Sequence, residues 1–182
     1  MIYLRTVRFE HILDQAGVPK WRQNSPLLAT MPVKAVWTIA TPVRDRSVDL
    51  VDSRFFRSIR DECDDVGKRA SLLVMLTGLY HALGHEDYQP VIKHTAGLNV
   101  KPAHIFKYRG KSEKVWELKY QNKDRLYFFS YSSTVSESRN LLIPLSFLHK
   151  KDQTTPDTIK DQCEREMKPL LDPSPQITIL KE

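Results

Sequence analysis

The pattern of apolar and polar positions along this chain changes period several times. In "VKAVWTIAT", residues 33–41, β-branched and aromatic residues crowd together before Pro42 and predict a first strand. In 51–67 the period becomes helical. Phe55, Phe56, Ile59 and Cys63 share one face, with Asp52 or Ser53 as N-cap and Gly67 as terminator. A second helix follows at once, with Leu72, Met75, Leu76, Leu79, Tyr80 and Leu83 at three- and four-residue intervals before Gly84. "KVWELKY", "RLYFFSY" and "NLLIPLSFL" are strand candidates, the first two joined by the tight turn "QNKD". Pro144 inside the third implies an edge position or a bulge. Thr155-Pro156-Asp157 then starts a helix whose apolar stripe is Ile159, Cys163, Met167 and Leu170, and "QITIL" adds a short strand. The order β, α, α, β, β, β, α predicts an α+β fold, an antiparallel sheet carrying a helical hairpin and a C-terminal helix.

Residues 1–32 read as an N-terminal extension to a main domain at 33–182. A short helix is possible around Val7–Leu13 with Gly17 after it, and a connector interrupted by Pro19, Pro26 and Pro32 follows. With 182 residues and 41% apolar content, one globular domain with a sizeable core is expected. No run approaches the roughly 18 apolar residues of a membrane helix, and charges interrupt the N-terminal segment where a signal peptide needs apolar residues. Two cysteines without metal-ligand spacing fit a reduced, cytoplasmic protein in which Cys63 and Cys163 are core residues. His81 and His85 have the i,i+4 spacing of zinc ligands, but Gly84 falls between them and no third ligand has matching spacing. No metal or cofactor is expected.

Charge sharpens the picture. Residues 104–151 hold ten Lys or Arg against four Asp or Glu, an excess equal to the +6 of the whole chain. Such concentration points to a nucleic acid or another polyanion, and a solvated basic face is the plainer alternative. Within the window, Arg125 opens a strand otherwise full of aromatics, so packing fixes its neighbours while its guanidinium can grip a phosphate with two hydrogen bonds. His149 stands beside Lys150 and Lys151 where a strand ends, and imidazole titrates near neutrality, as an acid or base must. An ion pair at a strand start and an exposed turn histidine are the structural alternatives for Arg125 and His149.

Four motifs in order carry a family likeness. Trp116-Glu117-Leu118-Lys119 is followed by Arg125-Leu126-Tyr127-Phe128-Phe129. Leu142–Phe147 comes next, then Lys150-Lys151-Asp152-Gln153-Thr154-Thr155-Pro156 and the helix from Asp157. Across about 33–170 the chain resembles the RelE/HigB group of type II toxin–antitoxin toxins, most nearly its phage-derived, HigB-like branch. Lys119 stands where the family usually has Arg. The resemblance implies a small, twisted, RelE-like antiparallel sheet and an endoribonuclease that cuts messenger RNA, generally at the ribosome and without a metal. A cognate antitoxin protein is the implied partner.

In such a reaction the ribose 2′-hydroxyl attacks the adjacent phosphorus. A base takes its proton, cations stabilise the doubly negative transition state, and an acid protonates the leaving 5′-oxygen. The residues placed in that role are Arg125, His149, Lys150, Lys151 and Lys119, with Arg125 stabilising the transition state and His149 as base or acid. Lys107, Tyr108, Arg109, Lys111 and Lys123 are read as RNA-binding, with Tyr108 and Tyr131 as stacking candidates and Tyr127 as core. Glu117 either orients Arg125 or Lys119 or forms a cross-strand ion pair. A non-catalytic toxin or binder on the same scaffold, resembling the gyrase-poisoning ParE branch or holding RNA or a protein without cutting, is the alternative reading.

Overall fold

The computed structural model describes residues 1–23, 35–95, 97–121, 123–133, 139–152 and 154–181. They form an α+β fold on one seven-stranded sheet ordered β3-β4-β5-β6-β2-β1-β7. The strands are β1 (Ile2–Thr6), β2 (Trp37–Val43), β3 (Leu98–Tyr108), β4 (Lys111–Tyr120), β5 (Asp124–Ser133), β6 (Arg139–His149) and β7 (Ile177–Leu180). The run from β3 to β6 is antiparallel, whereas β2 pairs with β6 and β1 with β7 in parallel. The expected small antiparallel sheet is therefore replaced by a larger mixed one.

Part of the enlargement comes from residues assigned to the extension. Residues 3–6 pair with β2, and Leu4 is fully buried. Helix α1 (Phe9–Gln15) puts Phe9, Ile12 and Leu13 into the core, and Gly17 follows it at φ +71°, the left-handed conformation that suits glycine. Residues 1–23 thus belong to the main fold. The boundary drawn at 32/33, with Pro26 and Pro32 of the connector, lies outside the described residues.

Helices α3 (Arg54–Glu62), α4 (Val66–Ala82) and α5 (Tyr88–His94) cover the same face as α1, and α6 (Asp157–Met167) covers the other; α2 is the single turn Lys20–Gln23. Ser53 caps α3 by accepting from the Phe56 N–H. The expected stop at Gly67 is overturned, because the Asp65 side chain accepts from the Lys68 N–H and starts α4 one residue before that glycine. Nor do α3 and α4 form a helical hairpin. They barely meet, and α1 packs against both. Because α4 ends at Ala82, His81 and His85 share no helix face.

Strand alternation divides the core. Leu126 and Phe128 of β5 join the α1/α3/α4 side with Phe147 and Leu142, while Tyr127 and Phe129 join the α6 side with Cys163 and Met167. Pro144 sits at a bulge: Tyr127 faces Ser146 but Phe128 faces Pro144, so Leu145 is the extra residue. The freed Pro144 carbonyl accepts from the buried Thr41 hydroxyl at 3.2 Å. Beyond residue 142, β2 no longer pairs with β6, and α3 closes that open edge. Ser58 Oγ accepts from the Phe147 N–H at 2.8 Å, and Glu62 Oε2, one helical turn on, accepts from the His149 N–H at 3.0 Å. This edge closure fixes the end of β6 from which His149 and Lys150 project. No helix among the described residues is long and apolar enough to cross a membrane.

Candidate functional site

The end of the sheet where β4 finishes, β5 begins and β6 finishes brings six predicted residues to one rim. Lys119 lies directly across the ladder from Arg125, Asp124 across from His149, and the Lys150 N–H donates to the Lys123 carbonyl at 2.8 Å. Because successive strand residues point to opposite faces, the rim has two unlike sides.

On the α6 side, Arg125 and Lys150 are 2% and 4% exposed and converge on Glu117, itself 1% exposed. Glu117 Oε2 is 3.6 Å from Arg125 Nε and 3.4 Å from Lys150 Nζ, while its Oε1 is 3.4 Å from half-exposed Lys101. Arg125 Nη1 also donates to the Asp124 carbonyl at 2.9 Å. Lys150 Nζ donates to Thr155 Oγ1 at 3.4 Å, and Thr155 lies one residue before Pro156, the N-cap of α6. Burial lowers the Lys150 pKa, with Glu117 opposing and Arg125 and Lys101 adding to the depression. Tyr127 lies fully buried next to this group. Its hydroxyl lies toward Thr155 without a hydrogen bond of good geometry, and burial raises its pKa. Glu117, weighed from sequence as an orienting group or an ion pair, is the hub of this cluster.

On the α4 side, His149 is 30% exposed at its side chain, and its Nδ1 is 2.7 Å from Asp124 Oδ1. Asp124 is buried, so it fixes the ring and leaves Nε2 as the nitrogen open to solvent. The pair lines a cavity of about 350 Å³ with Asp65, Lys68, Tyr120 and Gln121. His149 therefore does not join Arg125 and Lys150 in one cluster, as the sequence reading implies; the sheet separates them. Asp124 was missed because register decides its partner, and register across the Ser-rich connection between β5 and β6 is not countable from sequence.

The other predicted residues divide between this rim and the far end of the sheet. Lys151 and Lys123 are exposed at the rim, and Lys119 is half-buried there. Lys107, Tyr108, Arg109 and Lys111, read from sequence as RNA-binding, sit at the tip of the β3–β4 ribbon, around a two-residue turn with Arg109 at φ +48° and Gly110 at φ +78°. At about 3.4 Å per residue, position 111 is roughly 27 Å along β4 from position 119. Tyr108 and Arg109 are tied to Asp172, the hydroxyl at 2.8 Å and the guanidinium at 2.9 and 3.0 Å, which anchors the chain after α6. Tyr131 packs half-buried against the α6-side core. Cys63 and Cys163 are buried in the two core halves, and burial pushes each thiol up to about 12. Among the described residues, no group of three His, Cys, Asp or Glu is placed to hold a metal ion.

The chain matches no known protein family, no curated protein and no solved structure.

Proposed function

We propose that this chain is an endoribonuclease toxin of the RelE/HigB-like kind that cuts translated messenger RNA, and that a cognate antitoxin protein restrains it in the cytoplasm. Motifs on β4, β5, β6 and α6 support the family reading, and the antiparallel β3–β6 unit is the part that would correspond to the small toxin sheet. One observation carries the chemistry: a half-exposed histidine held at 2.7 Å by a buried aspartate, at a rim that also bears Lys119, Lys123 and Lys151.

His149 Nε2 takes the proton from the ribose 2′-hydroxyl as its oxygen attacks phosphorus. The P–O5′ bond breaks, leaving a 2′,3′-cyclic phosphate and a 5′-hydroxyl, and the imidazolium is the proton source for the departing oxygen. Asp124 stabilises the imidazolium and fixes its orientation. Lys123 and Lys151 are the accessible cations for the phosphate, while Lys119 lies on the Arg125 face of the rim. Arg125 and Lys150, buried against Glu117, position the strand ends and keep the rim positive.

Burial of Arg125 and Lys150 also favours a second reading, a non-catalytic binder in which these charges serve the fold. Inducible expression separates the two readings. The proposal expects growth arrest with new 5′-hydroxyl ends inside translated messages, both lost in His149→Ala while the protein stays folded. Arrest without new RNA ends supports the binder, and no arrest refutes the toxin.

A further inference from the structure

The cavity beside His149 has the wrong charge for a phosphate. Asp65 and Asp124 contribute two carboxylates, and the cation facing them, Lys68, is held by Asp64 at 2.6 Å and stands 3.7 Å from Asp65. Asp65 Oδ1 accepts from the Lys68 N–H at 2.9 Å. Its Oδ2 is the oxygen that faces Lys68 Nζ, and each of the two carboxylate oxygens keeps a further lone pair that can accept from a ligand. Tyr120 supplies an aromatic wall. Its ring is set by Gly97, where φ is +79° and an added Cβ would lie 3.1 Å from the ring. Gln121, at the mouth, is one of two non-glycine residues with positive φ among the described residues, at +52°. A side chain kept in that conformation is a cost that a local role can offset.

We propose that this pocket receives the nucleobase beside the cleaved bond and prefers guanine. Of the four bases, guanine presents two adjacent donors, N1–H and the 2-amino group, to a carboxylate, and the Gln121 amide supplies a donor for its O6. Tyr120 stacks on the base. The phosphate stays outside, on Lys123 and Lys151, so the acidic pocket and the basic rim divide the nucleotide between them. This inference rests on the ribonuclease reading, but binding tests it separately.

The experiment is an NMR titration of the full chain with the four 3′-nucleoside monophosphates, repeated on Gln121→Gly and Asp65→Asn. Glycine suits φ +52°, so Gln121→Gly should not lower the Tm, and asparagine still caps α4. The expected result is at least tenfold tighter binding of 3′-GMP than of the other three, falling to within about twofold in both variants. Equal binding of all four, or a preference that survives both variants, overturns the proposal. Mapped RNA ends keep the two ideas apart. Guanine-selective binding without cleavage refutes the nuclease and leaves the pocket standing, and cleavage indifferent to base with unselective binding does the reverse.

Discussion

The two sides of the sheet end use the same kinds of residue and reach opposite outcomes. Asp124 and Arg125 are neighbours in sequence, as are His149 and Lys150. Yet Arg125 and Lys150 are sealed against Glu117 under α6, while Asp124 holds a half-exposed His149 beside a cavity. The difference lies in what covers each face. The start of α6 brings Thr155 down onto Lys150, whereas the start of α4 leaves a gap before Tyr120 and Gln121. A basic residue at a strand end is thus evidence of a site only once its face is known.

The largest effect is expected from Glu117→Gln. It leaves Arg125 and Lys150 buried without their carboxylate and should cost about 3–5 kcal/mol in denaturant unfolding. Replacing the trio together, as Glu117→Leu/Arg125→Met/Lys150→Met, should recover most of that loss, because apolar side chains of similar size need no counter-charge. Next, Ser58→Ala removes the acceptor for the Phe147 N–H at the closed edge of β6 and should cost about 1–3 kcal/mol.

Glu166 on α6 sharpens the comparison through pH. Burial pushes its pKa up from 4.5 to about 7, against the opposing pull of Arg54, Arg165 and Arg57. The folded state therefore binds the proton more tightly than the unfolded chain, so stability falls as pH rises from about 4.5 to about 7 and is level above that. Glu166→Gln should raise stability at pH 8 by about 1–3 kcal/mol and leave it unchanged at pH 4, measured by urea unfolding at both. The smallest stability change, under about 1 kcal/mol, is expected for His149→Gln on the open side, which nonetheless should lose RNA cleavage.

Periodicity made much of this fold legible. Phe55, Phe56 and Ile59, the α4 stripe, and Cys163 with Met167 all face the core as their spacing predicts. Pro144 marked a bulge. Two strands escaped notice for physical reasons. β3 is an edge strand with Pro102 next to a register shift and largely exposed residues between its ends, so its apolar alternation is broken. β1 has five residues, and its place depends on β2 and β7, which lie far along the chain. At the site the residue types were legible, but the faces were not. β6 is buried on both sides, so "LLIPLSFL" has no polar alternation to show which way His149 points.

The account's central claim is that the open side of the sheet end reacts and the closed side supports it. The most direct test is to map 5′-hydroxyl RNA ends in cells expressing equal amounts of folded Asp124→Asn and of the apolar Glu117→Leu/Arg125→Met/Lys150→Met variant. The account predicts that Asp124→Asn cuts at least about a hundredfold less than wild type, while the apolar variant stays within about tenfold of it. Cleavage that survives Asp124→Asn but disappears in the apolar variant would contradict it.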